Sequence, residues 1–519
     1  MQQSEVIDFL MRPESYGLSA KAKVQRFDTH ISVVFLAGEY AYKLKRAIEL
    51  PFVDFRDLSD REKYCRLELV VNKAGAPDLY IDAVPVVSTP EGLSLDGAGE
   101  VVDWLVKMHC FDQCMLFDGL AEERGLTPKD MDRLTDHVVD CYQVAEVHTD
   151  YGGREGMERA FAGHYKAFEN CPPHVLEGGK LDQLRIRVTH EIEKIGDFLN
   201  DRQQAGYVRQ CHGDLHLRNI CFYKGMITLF DAIEFEPDYA NIDVFYDFSF
   251  LLMDLCHRGE WALANTALNR YLGRTGDVAA LHTLGLFLAS RASIRTHVNA
   301  VASQNQEVEK DRLRWEADAQ KYLDEALAYM QPKPVMILAI GGYSGSGKST
   351  LAKKLAPEMG RQPGAFIART DMIRKRIMGV KPEEKLNEDG YRDPVTKRTY
   401  NTLYDEIRQA INAGTCVIVD GVFAKEEERI TLEKIASELD VPFFGLWLEV
   451  EPQLLKDRVA LRSHDPSDAD EAVVEMQLTY DVGNITWARL EADHDLKLLS
   501  EKVIELIKNK AVFSCSSPK

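Results

Sequence analysis

The chain has 519 residues, too many for a single hydrophobic core, so two to four domains are expected. Hydrophobic residues make up 45% and charged residues 28%, the balance of a globular protein, and a formal charge of −20 disfavours a nucleic-acid partner. The ten cysteines form no CxxC pair and no histidines accompany them at zinc spacing, which reads as free thiols in a reducing compartment.

In chain order, Met1-Gln2-Gln3-Ser4-Glu5 lacks the basic and apolar regions of a signal peptide. Later apolar runs such as Val335–Ile340 are far too short to span a bilayer, so a cytoplasmic protein with no membrane partner is expected. Ile31–Leu36 and Tyr40–Leu44, separated by Ala37-Gly38-Glu39, predict an antiparallel hairpin, with Asp28-Thr29-His30 as the turn before it. Ala41 and Lys43 share one face of the second strand, and Lys45 shares it too. Asp57–Lys73 is charged and helical in period. Ala83–Val87 and Val101–Val106 read as strands, and Val101–Met108 falls where a link between two lobes belongs. Helical patterns fill Thr127–Asn200 and Phe245–Met330, so residues 1–330 predict an α+β domain.

Inside that first part, His212-Gly213-Asp214-x-x-x-x-Asn219 has the spacing of a protein-kinase-type catalytic loop. Asp214 is the candidate base for an acceptor hydroxyl, and Asn219 and Asp231 are candidate Mg²⁺ ligands. Asp231 ends the strand Met226–Phe230, and Tyr223-Lys224-Gly225 is the expected hairpin turn before it. Lys43 is the candidate for the nucleotide's phosphates and Glu68 is its natural partner. Lys45 is the alternative to Lys43, and otherwise reads as a solvent lysine at a strand end. Glu234, Glu236 and Asp238 read as solvated surface, with attraction of a cationic acceptor as the alternative. Gly213 replaces the usual arginine, Asp231-Ala232-Ile233 replaces Asp-Phe-Gly, and no long activation segment with an Ala-Pro-Glu end follows. These departures favour a small-molecule acceptor over a protein and argue against activation-loop control. No G-x-G-x-x-G is present to cover the phosphates closely.

Tyr329-Met330-Gln331-Pro332-Lys333-Pro334 stops the preceding helix and marks a boundary. A second domain is expected over 335–513, with 514–519 a frayed tail. It opens on a buried strand, then Gly342-Tyr343-Ser344-Gly345-Ser346-Gly347-Lys348-Ser349, a full Walker A match, then a helix. Backbone amides of Gly342, Ser344, Gly345, Ser346 and Gly347 should cradle phosphates, with Thr350 beside them. Lys348 should reach the β- and γ-phosphates and the Ser349 hydroxyl should hold Mg²⁺. Ile367–Arg369 predicts the next strand, and Asp371 and Arg374 follow its carboxyl end, where ligands of an open α/β sheet sit. Asp371 is a second candidate base, or a helix N-cap, or both; Arg374 is a candidate clamp for an anionic acceptor. Asp420 ends the strand Cys416–Val419 at a Walker-B-like position for Mg²⁺. Arg458 and Arg462, one helical turn apart, are candidate lid residues over the phosphates, against a solvated basic face.

The Walker A run with Asp371-x-x-Arg374 and Arg458-x-x-x-Arg462 resembles P-loop kinases that phosphorylate hydroxyls: polynucleotide 5′-kinase, gluconate kinase and chloramphenicol phosphotransferase. The His-Gly-Asp-x-His-x-x-Asn form, with Ile242-Asp243 and Tyr246-Asp247 downstream, resembles the aminoglycoside phosphotransferase and choline kinase superfamily. Together the two parts resemble a bacterial two-domain family, aminoglycoside phosphotransferase-like proteins fused to an AAA-type ATP-binding kinase domain. The resemblance implies a kinase-like bilobal α+β domain followed by an α/β P-loop domain with a mainly parallel sheet. It implies ATP and Mg²⁺ as cofactors and a bifunctional transferase acting on small-molecule hydroxyls. The alternatives are one catalytic half with the other a binding or regulatory module, or a P-loop half that phosphorylates polynucleotide 5′-hydroxyls.

Overall fold

The computed structural model describes residues 2–50, 53–461, 467–493 and 495–515. Two compact units emerge, and neither is one continuous stretch. The first comprises Met1–Leu126, Asp140–Phe161 and Gly196–Asp254; the second comprises Thr127–Val139, Ala162–Ile195 and Leu255–Lys519.

The first unit is built on a six-stranded antiparallel sheet. Its order is Val24–Asp28, Ser32–Ala37, Tyr40–Lys45, Glu100–His109, Tyr80–Thr89, Gly92–Leu95. Side chains alternate between the two faces of a strand. Tyr42 and Leu44 therefore join Val33, Phe35 and Leu105 beneath the helix Gln3–Leu10. Lys43 and Lys45 take the opposite face, that of the helix Leu58–Val71. This helix has little apolar character on its buried side: Arg61, Cys65, Glu68 and Asn72 point inward at helical spacing. Arg61 Nε donates to Asp103 at 2.7 Å, so a polar stripe is matched by polar partners in the sheet.

Val101–Met108 is not the link between lobes. It lies within the strand Glu100–His109, paired on both sides, because Trp104, Leu105 and Val106 are buried. Further on, Ile220–Tyr223 and Met226–Leu229 form the expected hairpin. Lys224 (φ 49°) and Gly225 (φ 77°) supply the left-handed pair that a two-residue turn requires.

The second unit holds a five-stranded sheet in the order Phe366–Arg369, Val417–Asp420, Ile337–Gly341, Phe443–Glu449, Ala488–Glu491, and every pairing is parallel. Ile337–Gly341 is buried throughout, as a central parallel strand covered on both faces must be. Leu351 and Leu355 of the following helix and Val503 of the last helix pack on it. The helix Trp261–Thr275 runs along the edge strand Phe366–Arg369 and uses side-chain amides in place of another strand. Asn265 and Asn269 donate to Ala365 O at 3.0 and 3.1 Å, and Asn269 Oδ1 accepts from Ile367 N–H at 2.6 Å. In the same unit, Leu284–Ser303 packs along Glu309–Tyr329. His257 stacks on Tyr322 at 3.6 Å, and its two ring nitrogens lie 2.8 Å from Glu325 and 3.0 Å from Asp318. No described helix is long and apolar enough to cross a membrane. The residues 516–519 of the expected frayed tail lie outside the described residues, and the last helix, Leu496–Cys515, covers its first two.

Candidate active sites

The loop Cys211–Asn219 follows the strand Val208–Gln210 and is held from below by the helix Val244–His257. Asp247, fully buried, accepts from His212 N–H at 3.2 Å, Gly213 N–H at 2.8 Å and the Tyr142 hydroxyl at 2.9 Å. Two turns later along the helix face, Asp254 accepts from Leu217 N–H at 3.0 Å. Gly213 has φ +83°, and a Cβ there would lie 2.8 Å from Tyr239 O. An arginine at this position would be excluded by both space and backbone conformation. Sequence spacing did not mark Tyr142 or Asp254, because their contacts are made only once the loop has folded onto the helix.

Asp214 is half-exposed. Its Oδ2 lies 3.0 Å from Asn219 Nδ2 and 3.2 Å from His216 Nε2. Asn219 also donates to Asp214 O at 2.9 Å, which fixes its amide group and directs its carbonyl oxygen elsewhere. Asp231 has φ 63°; its N–H donates to the Tyr80 hydroxyl at 3.0 Å, and the next amide, Ala232 N–H, donates to Asn72 Oδ1 at 3.0 Å. His212 ties the loop to the residue before Asp231 through Phe230 O at 2.9 Å.

Lys43 bonds Glu68 at 2.8 Å and also bonds Asp231 directly, so these three candidates meet. Lys45 is not a solvent lysine: it has no exposed surface, bonds Glu68 at 2.7 Å and bonds Glu234. Glu234 is likewise not solvated surface, since 8% of it is exposed. The result is a chain of alternating charges, Asp231–Lys43–Glu68–Lys45–Glu234. Burial alone would lower both ammonium groups, but the surrounding carboxylates outweigh it and hold them above their ordinary value. Burial would raise Glu68; its two lysines reverse that and hold it below the usual carboxylate range. Burial dominates at Glu234 and raises it, even with Lys45 beside it.

In the second unit, the Walker A loop curls back between the strand Ile337–Gly341 and the helix Lys348–Leu355. Gly345 has φ +87°, and a Cβ there would lie 2.5 Å from Leu455 O, so the approach of the two backbones needs glycine. Lys348 folds onto its own loop, donating to Tyr343 O at 2.8 Å. Ser349 Oγ donates to Asp420 Oδ2 at 2.6 Å, which joins the two candidate metal ligands. Ser346 is buried and Thr350 is exposed. Gln477, on the helix Glu471–Leu478, accepts from Ser344 N–H at 2.8 Å and donates to Ser344 Oγ at 3.1 Å. Arg458 reaches Gly345 O at 3.5 Å and Ala492 O at 3.0 Å. Arg462 lies outside the described residues.

Asp371 stands in the first turn of the helix Thr370–Ile377. Arg374, on the same helix, is buried; its Nη1 donates to Gly390 O at 2.7 Å and Thr396 Oγ1 at 3.0 Å, and its guanidinium lies over the Tyr391 ring. A residue that spacing did not single out is Arg369. Its Nε lies 3.1 Å from Asp420 Oδ2 and its Nη2 donates to Ser349 Oγ at 3.0 Å. The available signal was a cation at the carboxyl end of the strand next to Asp420, with which it is in register.

The residues at both sites fit Mg²⁺ in donor chemistry: an amide carbonyl and a carboxylate in one, a hydroxyl and a carboxylate in the other, all hard oxygens.

Comparison with known proteins gives the following. Residues 336–480 match the model of a family described as an AAA domain. Over 472 residues the chain is 26% identical to an uncharacterized protein of Mycobacterium tuberculosis (strain ATCC 25618 / H37Rv), covering 88% of this chain and 91% of that protein. An uncharacterized protein of Mycobacterium bovis gives the same values of 26%, 88% and 91%. Among solved structures, a gluconokinase from Sinorhizobium meliloti 1021 is 18% identical with TM-score 0.25, over 36% of this chain and 100% of that one. The APS kinase CysC of Mycobacterium tuberculosis, in complex with AMPPNP and APS, is 17% identical with TM-score 0.25, over 34% and 99%. A choline/ethanolamine kinase family protein from Mesorhizobium loti is 13% identical with TM-score 0.34, over 59% and 92%.

Proposed function

We propose that the chain is a bifunctional phosphotransferase that uses ATP and Mg²⁺ at two sites to phosphorylate hydroxyl groups of small molecules. The observation that carries this reading is the convergence of Lys43, Glu68 and Asp231 in the unit that also holds the Asp214–Asn219 pair. The Ser349–Asp420 bond under a complete Walker A loop supports the same reading for the second unit.

At the first site, Asp214 Oδ takes the proton as the acceptor oxygen attacks the γ-phosphorus of ATP. The bond from that phosphorus to the β,γ-bridging oxygen breaks, and ADP leaves. Asn219 fixes the Asp214 carboxylate by its amide N–H, and Lys43 meets the α- and β-phosphates while Glu68 holds its ammonium in place. Asn219 Oδ1 and the Asp231 carboxylate would hold Mg²⁺. At the second site, Asp371 takes the proton, the Walker A amides and Lys348 bind the phosphates, and Arg458 and Arg462 close over them. Arg374, the candidate clamp for an anionic acceptor, also ties the acceptor-side helix Thr370–Ile377 to Gly390 O and Thr396 Oγ1. When bound, Mg²⁺ neutralises the phosphate charge that repels an incoming hydroxyl and that collects on departing ADP.

The test is ADP release and product mass by the full chain against a panel of sugars, amino alcohols and aminoglycosides. Asp214→Ala should remove one transfer and Lys348→Ala another. If either variant leaves every transfer intact, the two-site reading is wrong.

A further inference from the structure

Arg369 has no part in the chemistry described above, yet it makes the two contacts expected of the metal. Its guanidinium touches both Asp420 Oδ2, at 3.1 Å, and Ser349 Oγ, at 3.0 Å. Both ends of the ion pair are buried, at 8% and 5% exposure, so the guanidinium offsets a carboxylate charge that would otherwise be costly. Two cations cannot occupy one pair of oxygen ligands, because at contact distance in a buried site their repulsion is strong. The side chain has somewhere to go. It lines a cavity of about 100 Å³, which gives a displaced guanidinium room; the Glu383 and Glu406 carboxylates on the same wall are held by Arg270 and Arg376. Arg369 is also the residue immediately before the helix Thr370–Ile377, which bears Asp371 and Arg374.

We propose that Arg369 is a built-in placeholder for the metal at the Walker A site. It holds Ser349 and Asp420 in their ligand positions and keeps a bare divalent ion out. It yields only to an ion that arrives together with nucleotide phosphates. Because the guanidinium is joined to the start of the acceptor-side helix, its displacement reports nucleotide binding to Asp371. This inference rests on the phosphotransfer reading of the Walker A site.

The test is Mn²⁺ binding to the full chain, followed by electron paramagnetic resonance with and without ATP. An Asp231→Asn background silences the first site. Nucleotide uptake that is lost in Lys348→Ala identifies the Walker A site. Arg369→Gln should bind Mn²⁺ without nucleotide about tenfold more tightly than its parent or better, since a full repelling charge has gone. Arg369→Lys keeps the charge but not the fork and should fall between the two. Thermal melts establish that each variant is folded, and if Arg369→Gln is not, the lysine variant decides by the same criterion. Unchanged or weaker Mn²⁺ binding, with Lys348-dependent nucleotide uptake intact, would make Arg369 a permanent support and end the proposal. Absence of that uptake in the parent would overturn the phosphotransfer reading of the site, and this inference with it.

Discussion

Replacing Lys45 by methionine gives the sharpest test of the charge ladder in the first unit. Lys45 and Glu68 have no exposed side-chain surface and Glu234 has 3%. Methionine fills similar volume but leaves Glu234 buried without its cation and Glu68 with only Lys43. Removing one partner of a buried pair costs about 3–5 kcal/mol, most of it the desolvation of the partner left behind. With a urea m-value of about 2 kcal/mol/M, the unfolding midpoint of this unit should fall by roughly 1.5–2.5 M. Lys45→Met/Glu234→Leu removes both charges and should recover most of the loss, because an apolar pair of similar volume often matches a buried ion pair. The assay is urea unfolding followed by circular dichroism and by tryptophan fluorescence, since a chain of two units need not unfold in one step. A loss below about 1 kcal/mol for the single variant, as expected of a surface lysine, would refute the reasoning.

Three further outcomes are expected. Burial works to lower His257, but hydrogen bonds to Asp318 and Glu325 outweigh it and raise it above 6.5. Its contribution to stability should therefore be complete below pH 6.5 and fade as pH rises through the folded value; His257→Gln should flatten thermal melts across that window. His297 behaves oppositely, since burial lowers it to about 4. Keeping it neutral contributes stability above pH 6.5 that is lost as pH falls toward 4, roughly 3 kcal/mol in all, and His297→Phe should reduce the acid slope of the melting temperature. Gly345→Ala places a Cβ 2.5 Å from Leu455 O at φ +87° and should weaken nucleotide binding by the Walker A loop more than tenfold while sparing Asp214-dependent transfer. Equal nucleotide affinity in a fluorescence titration would contradict it.

What could be read from the residues was whatever depends on local spacing. The strand–glycine loop–helix order, the hairpin before Asp231 and the alternation that puts Lys43 beside Glu68 are all of this kind. What could not be read depends on elements distant in sequence. Lys45 reads as a solvent residue until the chain returns 189 positions later with Glu234. Arg369 meets Ser349 and Asp420 only because parallel pairing sets its strand beside theirs. Val101–Val106 was legible as a strand, but its pairing on both sides within the sheet, which rules out a link between lobes, depends on strands distant in sequence.

The carboxamides of Asn265 and Asn269 along Phe366–Arg369 have a practical consequence. A fragment beginning near residue 335 would retain all five parallel strands but lose the groups that satisfy Ala365 O and Ile367 N–H. It would present an open strand edge, and such edges recruit other chains. Aggregation of that fragment would say nothing about whether its Walker A site is competent. The gene for the Walker A half cannot be cut free at the proline-flanked boundary without also cutting away its own edge protection.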